Sequence, residues 1–348
     1  MAPFIMNPFR FGGGVGGAWK ELDRVTLGSE QDLISVTGLP NNQYYMLLYV
    51  LPKVSAANTR WTFNATTGSE YSSRSSNNGG SDNTFINGVN FYTHAITGGF
   101  NYGVGYISNL SSQEKLCSFN ETGSASTGAG TASDRAETVS KWADSSNSIS
   151  SIQLKNTDTG GFDSGSELVV LGWDSTNTTT DNFWQELTSV DWSSGNSITT
   201  STFTPKKYIW YQGWWKTGAS MSGAYSALQV GNSTIDTGSN YSERYSVNGS
   251  ADSTETSVSN MYGLVGQGNS ASNVINFTNG FIVNNASNEK LFIADSTFGL
   301  DGASNVNGRS EAVGKWANTS NQIDIIKLLT PAGSGNWIAG QVKVWGHD

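Results

Sequence analysis

The 348-residue sequence predicts an all-β chain of two tandem antiparallel β-sandwich domains, related by an internal duplication and preceded by a short N-terminal arm. The first observation is a repeated segment: residues 135–147 and 309–321 share Arg135/Arg309, Glu137/Glu311, Val139/Val313, Lys141/Lys315, Trp142/Trp316 and Asn147/Asn321 at one constant offset. The second is that the match extends outward in order. It runs from Trp19-x-Glu21-Leu22 against Trp184-x-Glu186-Leu187, through Pro40/Pro205, Tyr71/Tyr241 and Arg74/Arg244, to Gly165–Asp174 against Gly340–Asp348. The third is composition: 14% charged residues and 41 glycines favour short strands joined by turns. A unit about a domain long, present twice, means tandem globular domains, because solenoid repeats run only about 20–50 residues.

The arm is residues 1–18. Pro3, Pro8 and a glycine-rich run to Gly17 exclude a helix or an interior strand, yet Phe4, Ile5, Phe9 and Phe11 are too apolar for a free tail. The arm is therefore expected to dock on a partner. The first domain spans 19–174. Asp32–Thr37 reads as a strand, Gly38–Asn42 as a turn, and Gln43–Leu51 as a strand apolar on both faces. Ser72–Asn83 and Thr122–Ser133 read as polar loops, and Ser148–Leu154 with Glu167–Trp173 as the closing strand pair. Residues 175–183 are a polar linker, and 184–348 repeat the order of elements. Helical periodicity is limited to a weak turn at Arg135–Ala143 and Arg309–Ala317. There Trp142 and Trp316 are expected to anchor a loop that Arg135, Glu137, Arg309 and Glu311 tie down.

A net charge of −9 with no basic run excludes a nucleic-acid or anionic-membrane partner. No apolar run reaches the roughly 18 residues of a membrane helix, and no leader-like pattern opens the chain. Cys117 is the sole cysteine, which rules out an intrachain disulfide and suits a small core residue.

Chemistry is sparse. His94 and His347 are the only histidines, and neither sits in a nucleophile-elbow context. The recurring acids Glu21/Glu186, Glu114/Glu289 and Glu137/Glu311 each lie near a Lys or Arg able to pair with them. Asp301–Asn307 clusters oxygen ligands without EF-hand spacing. The sequence thus predicts no catalytic residue, no cofactor and no metal. Its strongest surface feature is the aromatic strand Lys207–Trp215. By period two, Tyr208, Trp210 and Trp214 share one face, while Ile209, Tyr211 and Trp215 share the other. One face is then core and the other a subunit interface or a glycan platform.

Asn7-Pro-Phe-Arg-Phe11 followed by glycines, the Tyr-rich strand at Tyr44–Tyr49, and the closing pattern Ser146–Leu154, Gly161–Ser166 and Leu171-Gly172 together resemble virion structural proteins of tailed phages from aquatic environments. The second copy keeps Ile323, Ile326, Leu328, Trp337 and Gly340 but lacks the serine after Gly340. The resemblance implies β-sandwich or jelly-roll-like domains in a capsid-decoration, head-fibre or tail component, homo-oligomeric among other virion proteins in the particle. It supplies no catalytic residues. The alternatives are a carbohydrate-binding attachment protein that presents the Trp platform to a host glycan, and a double jelly-roll capsid shell protein.

Overall fold

A computed structural model describes residues 18–52, 59–93, 99–157, 159–218, 226–266, 273–299, 303, 305–331 and 336–348. The described chain is all-β apart from two 3-10 turns, Thr179–Asp181 and Gly263–Val265. The first half holds β1 (Ala18–Thr26), β2 (Leu33–Thr37), β3 (Tyr44–Leu51), β4 (Thr59–Phe63), β5 (Tyr71–Asn77) and β6 (Asn83–Gly88). It continues with β7 (Phe91–Tyr92), β8 (Phe100–Ser108), β9 (Lys115–Ser124), β10 (Asp134–Trp142), β11 (Ser151–Asn156) and β12 (Glu167–Asp174). The second half holds β13 (Gln185–Trp192), β14 (Ser197–Thr199), β15 (Tyr208–Thr217), β16 (Ala227–Asn232), β17 (Thr234–Ile235) and β18 (Tyr241–Val247). After these come β19 (Ser253–Val258), β20 (Ile275–Val283), β21 (Lys290–Gly299), β22 (Gly308–Trp316), β23 (Ile325–Leu329) and β24 (Trp337–His347).

Each half has one eight-stranded and one four-stranded antiparallel sheet. The large sheets run β1-β12-β3-β8-β9-β10-β5-β6 and β13-β24-β15-β20-β21-β22-β18-β19, the same order strand for strand. Even the bulge in the first strand recurs, between Glu21 and Asp23 and between Glu186 and Thr188. The small sheets, β2-β11-β4-β7 and β14-β23-β16-β17, differ only at the last position. Phe91 of β7 pairs with Trp61 of β4. In the second half the matching place beside β16 is held by a single bridge from Met261 to Leu228, and β17 is a short return of β16 itself.

The doubly apolar strands explain the layering. Tyr45, Leu47, Tyr49 and Leu51 of β3 face the small sheet and close a core with Ile34, Val36, Trp61, Phe63, Ile152 and Leu154. Ile209, Tyr211 and Trp215 of β15 do the same against Leu228, Val230, Ile326 and Leu328. The opposite faces, with Met46, Leu48 and Val50 on one sheet and Tyr208 and Trp210 on the other, meet in a third core. Glycine is required where an aromatic ring lies across the neighbouring strand. A Cβ at Gly103 would sit 2.1 Å from the Tyr49 ring, and one at Gly280 would sit 2.3 Å from the Tyr211 ring.

The repeated motif forms strands, not the expected weak turn under a loop. Arg135–Trp142 lies in β10 and Arg309–Trp316 in β22, each interior to its sheet. The alternation is hidden in the sequence because the outward positions carry Arg, Glu, Val and Lys while the inward ones are small until the Trp. Trp142 and Trp316 are buried, and their Nε1 groups donate to Glu70 and Asp236, both at 2.8 Å. Lys115 and Lys290 each place Nζ 5.9 Å from the ring centroid while donating to two backbone carbonyls. The segment Ser72–Asn83, expected as a loop, is mostly the β5–β6 hairpin. Its turn residues Asn78 and Gly79 have φ of 51° and 66°, as Asn248 and Gly249 of the β18–β19 hairpin have 55° and 73°. An Asn-Gly pair supplies both positive-φ positions of a tight hairpin. Likewise β9 runs through Ser124, into the stretch read as a second loop.

Trp142→Ala and Trp316→Ala each delete a fully buried indole and should cost about 3–5 kcal/mol in urea unfolding. A loss below about 1 kcal/mol in either would show that the ring is not a keystone of its half.

Candidate functional site

The expected platform is closed. Tyr208 and Trp210 are buried between the two large sheets of the same chain, so the face is neither an open glycan platform nor free for another subunit. The physical reason is that β3 is also apolar on its outer face, and each sheet removes the other from water. Trp210 packs on Phe281 at 5.6 Å, Trp184 at 5.6 Å and Trp345 at 5.2 Å between ring centroids, and its Nε1 donates to Asn279 Oδ1 at 2.6 Å. Tyr208 lies 6.5 Å from Tyr102 of the first half, and its hydroxyl donates to Glu167 at 2.7 Å. Trp214 is the exception: it is outside this core and 40% exposed. The linker also takes part, since Phe183 and the adjoining Trp184 are buried in this core. Phe4, Ile5, Phe9 and Phe11 lie outside the described residues, as do His94 and, in the candidate calcium segment, Asp301, Gly302 and Ser304.

Two polar clusters fasten the sheets at opposite ends of that core. At one, Glu167 of β12 accepts from Thr26, Tyr208 and Lys207 and pairs with Arg24 at 3.3 Å. Burial alone would raise this carboxyl, but the donors from Thr26, Lys207 and Tyr208 outweigh it and hold it below the ordinary range. At the other, the motif charges gather. Arg135 forks onto Asp252 of the second half, with Nη2 at 2.7 Å from Oδ1 and Nε at 3.3 Å from Oδ2. Its Nη1 also meets Glu137 and, at 3.5 Å, Glu311. Arg309 pairs with Glu311 but remains half exposed. The backbone of Arg135 does hold the β5–β6 turn, its N–H donating to Asn78 Oδ1 at 2.9 Å and its carbonyl accepting from Asn78 N–H at 2.8 Å, but its side chain does not. It clamps the two halves, a role that the repeat could not reveal because it depends on the other copy.

This second cluster carries excess negative charge. Asp295 of β21 is pushed up to about 7, first by burial and then by the neighbouring Glu137 and Glu311 carboxylates. Glu137 is raised as well, chiefly by burial. A free Asp titrates near about 3.9, so the fold favours the neutral acid. That contribution is whole below about pH 4 and is lost as pH rises through about 7. Asp295→Asn should therefore leave the melting temperature at pH 4 unchanged and raise it by about 2–4 °C at pH 8. Equal shifts at both pH values would mean that the charge of Asp295 is not what matters.

Two further buried titratable groups have structural settings. Glu243, pushed up to about 8 mainly by burial, accepts the backbone N–H groups of Tyr262 and Gly263 at 2.7 and 2.8 Å, fixing the 3-10 turn. Cys117 is buried in the first core, which pushes its thiol up to about 12 and makes it a poor nucleophile. Among the described residues, no three His, Cys, Asp or Glu side chains are grouped to hold a metal, and no helix is long and apolar enough to cross a membrane.

No protein-family model matches the chain, and no curated protein matches it. Among solved structures it is similar to Neisserial surface protein A, at 8% identity over 83% of this chain and 97% of that one, with a TM-score of 0.14. It is also similar to domains LG4–5 of the mouse laminin α1 chain, at 7% identity over 94% and 93%, with a TM-score of 0.17. For the attachment invasion locus protein Ail of Yersinia pestis the identity is 7% over 87% and 99%, with a TM-score of 0.10. Likenesses at these scores assign neither fold nor function, which leaves the chain's own faces and charges to speak for it.

Proposed function

We propose that the chain is a non-enzymatic structural protein of a virus particle, built as two tandem jelly-roll-like β-sandwich domains from an internal duplication. The observation that carries this reading is that the central strands of both large sheets are apolar on both faces, so that each large sheet stacks on a small sheet on one side and on the other large sheet on the other. A fold whose largest apolar side chains are spent on joining layers serves as a building block. The strand-for-strand agreement of the two large sheets supports the duplication, and the resemblance to phage virion proteins supports the setting. Other virion proteins are then its partners. Its place is a capsid decoration, head fibre or tail component, with Phe4, Ile5, Phe9 and Phe11 of the arm docking it there.

A second reading is favoured by one residue. Trp214, 40% exposed beside the polar Gln212 and Gln341 on a sheet face, suits stacking on a sugar ring of a host glycan.

A chain beginning at Ala18 should melt like the full-length protein but fail to enter particles, because burial of each arm aromatic, worth roughly 1.5–3 kcal/mol, would be lost to docking alone. Equal incorporation, or loss of folding, overturns the arm's role. Absence of the full-length chain from purified particles by mass spectrometry overturns the virion reading. Glycan-array binding that disappears in Trp214→Ala supports the second reading.

A further inference from the structure

The two halves treat one place in the sandwich differently. In the first half a cleft of about 290 Å³ lies between the inner face of the β5–β6 hairpin, with Ser73, Ser75 and Phe85, and the edge of the small sheet, with Arg60 and Tyr92. Strand registers equate Ser73, Ser75 and Phe85 with Glu243, Tyr245 and Glu255, and Arg60 and Tyr92 with Ala227 and Tyr262. On the next strand, Thr138 and Ser140 stand where the second half has Ala312 and Gly314. There the place is filled by the 3-10 turn Gly263–Val265, whose Leu264 and Val265 are inaccessible. Glu243 accepts the N–H groups of Tyr262 and Gly263 at 2.7 and 2.8 Å, and Gly314 is the notch for Leu264, since a Cβ there would sit 2.7 Å from that side chain. The first half carries none of this seat: Ser73 has no carboxylate, Ser140 brings a Cβ, and the buried Ala227 is matched by Arg60.

What replaces the seat is chemistry for a polar ring. Arg60 is the single charge among the described residues lining the cleft, and its guanidinium lies 4.6 Å from the Tyr92 ring centroid. Stacking holds the guanidinium by its face, while its N–H donors lie along the edge of the plane in the fork that fits a carboxylate. Ser73 and Ser75 add hydroxyls that can donate or accept. The floor is polar as well: Thr138, beside Ser75, is 1% exposed, and its hydroxyl meets no partner among the described residues. Phe85 is 41% exposed, its ring held against Gly88, where a Cβ would come within 2.0 Å of it. A bare anion would need the arginine alone and a hydrocarbon the ring alone. One cation, several hydroxyls and an open aromatic ring together match a compound with a carboxylate, hydroxyls and a C–H face.

We infer that this cleft of the first half binds one acidic sugar unit, a hexuronic acid, with its carboxylate on Arg60, its hydroxyls on Ser73 and Ser75 and its C–H face on Phe85. The volume is at the small end of ligand pockets, which run roughly 300–1,000 Å³, and so suits a single sugar unit in place of a long chain. The inference rests neither on the virion reading nor on Trp214, which belongs to the other half; a chain that binds the sugar here yet is absent from particles refutes the virion reading and leaves this one standing.

Calorimetric titration of the full chain with methyl β-D-glucuronide, methyl β-D-glucoside and acetate tests it. The glucuronide should bind about tenfold or more tighter than the glucoside, the size of one charge-assisted hydrogen bond, and tighter than acetate. Arg60→Gln should erase the preference for the glucuronide over the glucoside. Ser75→Tyr, which puts into the cleft the side chain that fills this position in the second half, should abolish binding. Phe85→Ala, at an exposed position where the melting curve should not move, should weaken the glucuronide by about tenfold, the loss expected of a stacked ring. No binding of the glucuronide, equal affinity for glucuronide and glucoside, acetate bound as tightly as the glucuronide, or affinity unchanged in folded Ser75→Tyr and Phe85→Ala overturns the inference. So does a glucuronide response that Trp214→Ala removes and Phe85→Ala does not.

Discussion

Everything in this molecule depends on desolvating sheets that are apolar on both faces. A sheet with one apolar face needs a single partner layer, whereas β3 and β15 demand two. The small sheets satisfy the inner faces and the large sheets satisfy each other, giving four layers with three cores. Stability cannot come from an intrachain disulfide, because Cys117 is alone. Apolar burial at roughly 25 cal/mol per Å² is then the dominant favourable term.

The polar groups at the joint set its register. An apolar contact between flat sheets tolerates sliding, but Arg135 forked onto Asp252 and Glu167 held by Tyr208 and Lys207 fix the offset from opposite ends. The two fasteners respond oppositely to pH. Glu167 is held ionised and is weakened by acid, while the crowding of Asp295 and Glu137 is relieved by it. The joint is therefore poised between the two, with neither extreme of pH improving both.

Much of this is legible in the sequence. The repeat, the doubly apolar strands and the core role of Cys117 follow from residue pattern alone. The motif strands are not legible, because Arg135, Glu137 and Lys141 on the outer face and Ala136 and Ser140 on the inner one blur the period of two. The Asn78-Gly79 and Asn248-Gly249 pairs are a readable hairpin signal inside stretches of polar residues that otherwise look like loops. The burial of Tyr208 and Trp210 is beyond pattern reading for a different reason. A period-two face states that a surface is apolar; which layer covers it depends on how two distant segments stack.

The differences between topologically equivalent positions follow the environment each half occupies. Where the joint covers the first half, the residues are the aliphatic Leu48, Val50 and Val104, and at the equivalent positions of the second half they are Gln212, Trp214 and Asn279. Conversely, Ile293 and Asp295 of the covered second half stand where the first half has Ser118 and Asn120. Leu48, Val104 and Ile293 on the covered side stand against Gln212, Asn279 and Ser118 on the open side, whereas Asp295 against Asn120 is polar in both, and Trp214, Ile275, Leu116 and Val139 are apolar and exposed. Scattered exposed apolar side chains are ordinary on a folded surface, and these four sit at the margins of the stacked faces. The joint is thus an offset stacking of like faces: equivalent positions near its centre, such as Met46 with Trp210 and Leu171 with Trp345, are covered in both halves, while those at its margins are covered in only one.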